Sequence, residues 1–94
     1  MATRRIDRYV ISEHARGELE HRGLSEVMIE GVLREAEQAE VVRPGRWVLQ
    51  SRISMGSPER VYLVRVFVDV DRDPAEVVTA YRTSKIAKYW RTGE

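Results

Sequence analysis

The second half of the chain alternates between apolar and polar residues, and this pattern predicts three consecutive β-strands. The segments that alternate are RWVLQSRIS (46–54), RVYLVRVFVDV (60–70) and EVVTAYRT (76–83). Between them stand MGSP (55–58) and DRDP (71–74), whose Gly, Pro, Ser and Asp residues are typical of turns. Because the connections are this short, we predict that the strands form an antiparallel meander.

Alternation also predicts which face of this sheet is buried, since successive side chains of a strand point to opposite sides. The residues that we assign to the buried face are Trp47, Leu49, Ile53, Tyr62, Val64, Val66, Val68, Val70, Val78 and Ala80. The other face is half polar and repeatedly supplies Arg, Thr and Tyr side chains. We therefore expect any functional site on the sheet to lie on that second face.

The first half of the chain has a helical period instead. After a short strand-like segment, RYVI (8–11), Ser12 is placed as the N-cap of a helix that runs to about Arg22 and stops at Gly23. Ser25 is the next N-cap, and the segment 24–39 continues as a second helix. Its predicted buried stripe comprises Leu24, Val27, Met28, Gly31, Val32 and Ala36. The order of elements predicts an α+β fold of a single domain, residues 1–94, in which a helix hairpin packs on an antiparallel sheet.

Composition limits the classes of protein to which the chain can belong. Apolar residues make up 43% and charged residues 33% of the 94 positions, as in a folded globular domain. There is no cysteine, no apolar run long enough to span a membrane and no apolar core of a signal peptide near the start. We expect a cytoplasmic protein that does not enter the membrane.

Arginine dominates the basic residues, and charge is grouped along the chain. Of the 16 basic residues 14 are Arg, and the segments 43–65 and 77–94 are net basic while 23–42 and 66–76 are net acidic. Arg binds phosphate in a planar, bidentate way, so a basic face of the folded domain suits an anionic partner. A GC-rich genome would produce the same bias.

Two residues stand out as candidates for chemistry. Arg65 interrupts an apolar strand, so it either snorkels to solvent, pairs with an acid such as Asp69 or Glu76, or binds an anion on the second face. His14 lies in the first turn of the first helix, where the helix dipole disfavours the imidazolium form. It is therefore either a general base or an ordinary exposed histidine.

The reaction classes that remain are those without a thiol or a metal ion. The sequence contains no Gly-rich phosphate loop, no nucleophile elbow and no carboxylate cluster for a metal, so we expect neither a metal nor a cofactor. RNA cleavage by its own 2′-hydroxyl needs only a base, an acid and cations that stabilise the charge on phosphate. His, Tyr, Arg and Lys supply these roles.

The order of several short motifs resembles small bacterial and phage domains of the RelE/ParE-like toxin group, within the barnase–EndoU–colicin–RelE nuclease fold. The matching segments are ISEHARGELEHRGLSEVMIEGVL (11–33), YLVRVFVDVD (62–71) and EVVTAYRTSKIAKYW (76–90). They carry an early S-x-H-A, an R-G-L-S between helices, a strand Arg and a terminal V-T-x-Y. The resemblance implies a helix hairpin on a curved sheet of three to four antiparallel strands, metal-independent ribonuclease activity and neutralisation by an antitoxin.

Carried over by position, the resemblance implies a catalytic set of His14, Arg65, Tyr81 and Lys85. For substrate binding we predict Arg46, Arg52, Thr79, Arg82 and Thr83. The expected substrate is RNA, bound to the ribosome or free, and the expected protein partner is a cognate antitoxin. Two alternatives remain open: a non-catalytic module that binds RNA or protein, and a toxin that binds a protein such as a topoisomerase.

Overall fold

The computed structural model describes residues 5–92, which form one five-stranded mixed sheet and three short helices. In chain order the elements are β1 (Tyr9–Ile11), α1 (Glu13–His21), α2 (Glu26–Glu35), β2 (Gln38–Arg43), β3 (Arg46–Met55), β4 (Arg60–Asp69), β5 (Ala75–Thr83) and α3 (Ile86–Tyr89). The strand order is β1-β5-β4-β3-β2. The predicted α+β class and the meander of β3, β4 and β5 are confirmed.

The prediction of three to four antiparallel strands is wrong, because two further strands complete the sheet. β1 pairs in parallel with the start of β5, so the sheet is mixed. β2 pairs with β3 and begins at Gln38, within the last two residues of the predicted second helix, 24–39. That helix ends at Glu35 because Ala36 is already extended, with φ −61° and ψ 139°. The β-branched pair Val41 and Val42 then favours a strand.

The helix boundaries at Ser12, Gly23 and Ser25 agree with the prediction. The hydroxyls of Ser12 and Ser25 accept from the backbone N–H three residues on, at 3.0 and 3.2 Å. Gly23 has a φ of +69° and ends α1 in a Schellman motif, since the Leu24 N–H donates to the Leu19 carbonyl at 3.0 Å. None of the helices within residues 5–92 is long and apolar enough to cross a membrane.

The buried stripe of α2 is rotated by about one residue from the predicted one. Its buried positions are Ile29, Val32 and Leu33, followed by Ala36, whereas Val27 is 76% exposed. The predicted phase was set by Leu24, which is buried but precedes the first residue of the helix. Its position therefore does not follow the helical period.

The core lies between the sheet and the two long helices. α1 packs mainly on β5, and α2 packs on β3 and β4. The strand residues that the prediction placed inward are largely confirmed, with Leu49, Val66 and Val68 fully buried. One is wrong: Val77 joins the core cluster in place of Val78. The pairing of β4 with β5 shifts there, so Phe67 faces Thr79 while Val68 faces Val77, and the shift offsets the alternation by one residue.

The second face of the sheet is partly buried by the chain's own C-terminal segment, residues 85–92. Val48, Gln50 and Leu63 are at most 3% exposed, although none of them belongs to the core beneath the helices. The Gln38 side chain bonds to the backbone of Arg91 through both of its polar atoms, at 2.7 and 3.0 Å. This face is therefore a partly covered surface and not an open groove.

Candidate functional site

Arg65 lies in the middle of β4 and is half-buried on the second face. Its Nε donates to Gln50 Oε1 at 2.8 Å, and its Nη1 donates to the Tyr81 hydroxyl at 2.6 Å. Register explains these contacts, because Gln50 and Tyr81 are the residues directly opposite Arg65 on β3 and β5. The structure thus brings together Arg65 and Tyr81, two of the residues predicted from the sequence.

Three aromatic rings surround the Arg65 guanidinium. Its central carbon lies 4.3 Å from the ring centroid of Tyr89, 5.4 Å from that of Phe67 and 5.8 Å from that of Tyr81. The Tyr81 and Phe67 rings are stacked with centroids 6.0 Å apart. Ring faces attract a cation, so the rings and the two hydrogen bonds stabilise a half-buried charge.

Gln50 is a member of this site that sequence reasoning did not single out. Besides accepting from Arg65, its amide Nε2 donates to Gln38 Oε1 at 2.7 Å and to the Tyr89 carbonyl at 3.2 Å. A glutamine on the polar face of a strand is a weak signal by itself. Gln50 belongs to the site because the pairing of β3 with β4 places it opposite Arg65. That register cannot be predicted from the sequence of one strand.

The acids considered as partners of Arg65 are engaged elsewhere. Asp69 accepts two hydrogen bonds from Arg46, at 2.6 and 3.1 Å, and these bonds hold the pKa of the Asp69 carboxyl below its usual value. Glu76 accepts from Arg72 at 2.7 Å. Within residues 5–92 no carboxylate forms an ion pair with Arg65, so the salt-bridged alternative does not apply to that part of the chain.

Arg46 and Arg52, both predicted to bind substrate, already have carboxylate partners. Arg46 is held by Asp69 as described. Arg52 donates to both carboxylate oxygens of Glu37, at 3.1 and 3.0 Å, and its guanidinium lies 4.1 Å from the ring centroid of Trp90. The hydrogen bonds from Arg52 also lower the pKa of Glu37. Both guanidiniums are thus internally neutralised.

His14 on α1 and Thr79 on β5 both contact Glu18 of α1. Glu18 Oε1 accepts from the Thr79 hydroxyl at 2.6 Å, and Glu18 Oε2 lies 3.1 Å from His14 Nε2. The bond from Thr79 is the main cause of the lowered pKa of Glu18. In the part of the chain that the structure describes, no hydrogen bond, ion pair or ring contact joins His14 to Arg65 or Tyr81.

A cleft of about 520 Å³ lies between the end of α1 and β5. Its lining residues are Glu20, His21, Arg22, Gly23, Tyr81 and Arg82. Tyr81 therefore belongs both to this cleft and to the surroundings of Arg65. His21, the last residue of α1, shares this cleft with Tyr81. The sequence had led us to choose His14, near the start of the same helix, and not His21.

The remaining predicted residues lie at the end of β5. Thr83 Oγ1 accepts from the Lys85 N–H at 3.0 Å and so helps to turn the chain into α3. The Arg82 guanidinium packs on Tyr62, 4.8 Å from the ring centroid, and its Nη1 lies 2.8 Å from Met55 Sδ. Lys85 is exposed. These residues are near one another in sequence, but no hydrogen bond or ion pair between their side chains is present within residues 5–92.

The arginines within residues 5–92 fall into two classes, those with a carboxylate partner and those without one. Nine of them have a carboxylate within ion-pair distance: Arg5, Arg8, Arg16, Arg22, Arg34, Arg46, Arg52, Arg72 and Arg91. Those without one in this range are Arg43, Arg60, Arg65 and Arg82. Two of these four, Arg65 and Arg82, adjoin Tyr81.

Comparison of the chain with models of known protein families, with curated proteins and with solved structures found no match in any of the three. Within residues 5–92 no three His, Asp or Glu side chains are grouped closely enough to hold one metal ion. The arguments for function therefore rest on the geometry around Arg65 and Tyr81 and on the motifs of the sequence.

Proposed function

We propose that this protein is a metal-independent ribonuclease with a RelE-like arrangement of a helix hairpin on its sheet. The observation that carries the proposal is the contact of Arg65 with the Tyr81 hydroxyl, on a guanidinium that has no carboxylate partner within residues 5–92. The short motifs shared with the RelE/ParE-like group support it independently. A cation and a hydroxyl held side by side suit a scissile phosphate.

The reaction would be attack of the RNA 2′-hydroxyl on the adjacent phosphate. The bond from phosphorus to the 5′-oxygen breaks, a 2′,3′-cyclic phosphate forms, and the 5′-oxygen takes a proton. Arg65 has a terminal nitrogen, Nη2, without a hydrogen-bond partner among the described residues, and it would stabilise the charge on the phosphate oxygens. Because Tyr81 accepts a bond from Arg65, its own O–H is free to donate to the leaving oxygen.

A base must also take the proton of the 2′-hydroxyl, and the structure offers two imidazoles. His14 matches the sequence motif, and Glu18 would orient it. His21 lines the same cleft as Tyr81. Lys85, exposed just beyond β5, would add positive charge near the phosphate. Substitutions His14→Gln and His21→Gln distinguish the two, since only loss of the base would lower kcat by about 10²-fold or more.

The role of toxin with a cognate antitoxin belongs to the same proposal and rests on the sequence motifs alone. A cytoplasmic location and an RNA substrate, on the ribosome or free, would follow from that role. Expression of the wild-type chain should then arrest cell growth, and Arg65→Ala should relieve the arrest. Equal growth with both chains at equal protein levels would argue against the toxin role.

The direct test uses purified protein, single-stranded RNA and a metal chelator. We expect cleavage with 2′,3′-cyclic phosphate ends, no cleavage of the same sequence in all-2′-deoxy form, and loss of activity in Arg65→Ala. Arg34→Ala is the control, because Arg34 is an exposed helix residue paired with Glu30 and distant in sequence from the site. Intact RNA after incubation with folded wild-type protein, or equal cleavage by Arg65→Ala, would overturn the proposal.

A non-catalytic module that binds RNA or protein is the second candidate, and one observation favours it. The Tyr89 ring lies 4.3 Å from the Arg65 guanidinium, and the Tyr89 carbonyl accepts from Gln50, so residues 85–92 cover part of the site. Salt-dependent RNA binding without any product ends would support this candidate over the ribonuclease.

A further inference from the structure

We infer that the cleft between the end of α1 and β5 is a second anion subsite, which holds a backbone phosphate of single-stranded RNA through Arg82. The inference rests on the proposed function for the identity of the substrate. It adds a distinct contact on the other side of β5 from Arg65, and this contact serves binding and not bond cleavage.

Arg82 is positioned for such a contact by apolar neighbours and not by acids. Its guanidinium packs on the Tyr62 ring and beside Met55 Sδ, and the side chain remains exposed. Within residues 5–92 it forms no ion pair. Tyr62 and Met55 thus position the guanidinium, and neither of them carries a negative charge that would offset it. The charge can therefore interact with a phosphate.

The opposite wall of the cleft carries no side chain at Gly23, where it approaches Arg82. Gly23 ends α1 with a φ of +69°, and a Cβ at this position would lie 3.6 Å from Arg82 Nη2. A side chain there would extend toward the guanidinium, whereas glycine leaves it open. His21 and Arg22 line the same wall, with Glu20 as the acid among the lining residues. Because Arg22 is paired with Glu18, Arg82 is the lining arginine without a carboxylate partner within residues 5–92.

The sheet itself connects this cleft to Arg65. Arg82 and Tyr81 are consecutive in β5, so their side chains point to opposite faces. β1 pairs only with Ala75–Val77 of β5, so within residues 5–92 no strand flanks that side of β5 beyond Val77. The Arg22 side chain covers part of this side, since its guanidinium donates to the Ala80 carbonyl at 2.7 Å. A nucleic acid strand would cross over Arg22, with one phosphate at Arg65 and the next contact at Arg82.

The test is binding of a fluorescent, uncleavable 2′-deoxy-substituted oligonucleotide to the full chain across a series of salt concentrations. Arg82→Gln keeps much of the side-chain length and removes the charge. For a single strand, loss of one phosphate contact should reduce the slope of log K against log salt by about 0.7. Arg82→Lys should keep the slope, and Arg34→Gln, which changes an ion-paired arginine on α2, should leave both slope and affinity unchanged.

A slope that is the same in wild type and Arg82→Gln would overturn the inference. Because Arg82 packs on Tyr62, its loss could unfold the chain, so His21→Glu provides a second probe from the opposite wall. It should weaken binding several-fold, and unchanged affinity would also overturn the subsite. The two proposals separate cleanly: a reduced slope with no RNA cleavage retains the subsite without the ribonuclease, and Arg65-dependent cleavage with an unchanged slope retains the ribonuclease alone.

Discussion

The Arg65 Nη1 donates to the Tyr81 hydroxyl across 2.6 Å, between residues directly opposite each other on β4 and β5. An arginine stays protonated in either setting. The charge of one that donates to a neutral hydroxyl and an amide is not offset by its partners, whereas the charge of one paired with a carboxylate is. Arg46 and Asp69 show the second arrangement on the neighbouring strand pair, β3 and β4. The comparison of these two arginines is the physical basis for assigning function to one and a structural role to the other.

Tyr81→Phe tests the role of the hydroxyl. It removes the O–H and retains the ring that stacks on Phe67. If Tyr81 protonates the leaving oxygen, kcat should fall by about 10²-fold or more while KM changes little, since proton transfer contributes that much in the transition state. The measurement is steady-state cleavage of a defined single-stranded RNA.

The matched control for this change is Tyr9→Phe, on the edge strand β1 and without a hydroxyl contact among the described residues. It should keep kcat within about a factor of two to three, as expected of a change that leaves transition-state interactions intact. A Tyr81→Phe protein as active as this control would assign Tyr81 to packing around Arg65 and leave proton transfer to another group.

Two glycines should respond to alanine in opposite directions. Gly45 has a φ of +86°, and an added Cβ would lie 2.7 Å from Asp71 Oδ2, so Gly45→Ala should destabilise the fold by about 1–3 kcal/mol. Gly31 is an exposed position of α2 with no atom within 4 Å of the added Cβ. Gly31→Ala should therefore stabilise by about 0.5–1 kcal/mol. Urea unfolding of the two variants measures both, and changes of the same sign would contradict the description of either Gly45 or Gly31.

Local patterns predicted most of the elements because each element satisfies its own backbone chemistry. Ser is favoured as an N-cap, and Gly is favoured in the left-handed conformation that follows a helix, so the boundaries at Ser12, Ser25 and Gly23 could be predicted from the sequence. β2 was missed because the helical stripe was extended past Glu35. Val41 and Val42 followed by Pro44 were the signal for a strand that ends in a turn.

The site was less predictable, because it depends on relationships between elements. Strand register decided that Arg65 meets Gln50 and Tyr81, and the shift between Phe67 and Val68 decided which valine of β5 enters the core. The position of His14 relative to these groups depends on how α1 crosses β5. The apolar–polar period of a single segment predicts none of these relationships, because each depends on how two elements pack.

The pKa of Glu18 should depend on Thr79. The hydrogen bond from the Thr79 hydroxyl is the largest cause that lowers this pKa, followed by opposing desolvation and by the charge of Arg22. Thr79→Val removes the donor with little change of shape, so the pKa of Glu18 should rise toward its usual value. Titration of the Glu18 carboxyl by NMR measures the shift. Thr83→Val is the control, since Thr83 contacts the Lys85 N–H and not Glu18. An unchanged titration in Thr79→Val would contradict the assigned contact.

The Arg46–Asp69 pair should contribute to stability in a pH-dependent way. Hydrogen bonds from Arg46 lower the pKa of Asp69 in the folded chain, so the unfolded chain binds more protons between that lowered pKa and the ordinary value of about 3.9. Stability from this group is therefore fully present above about pH 4 to 5 and is lost as the pH falls through the folded pKa.

Asp69→Asn should lower the free energy of unfolding at neutral pH by about 1–3 kcal/mol, because it weakens hydrogen bonds to a charged group. The substitution should also reduce the amount by which the free energy of unfolding falls as the pH is lowered. Urea unfolding at a series of pH values, with the exposed Asp7→Asn as control and expected to change stability by less than about 1 kcal/mol, measures both effects. A wild-type pH dependence in Asp69→Asn would show that other carboxylates, such as Glu37 beside Arg52, govern the acid transition.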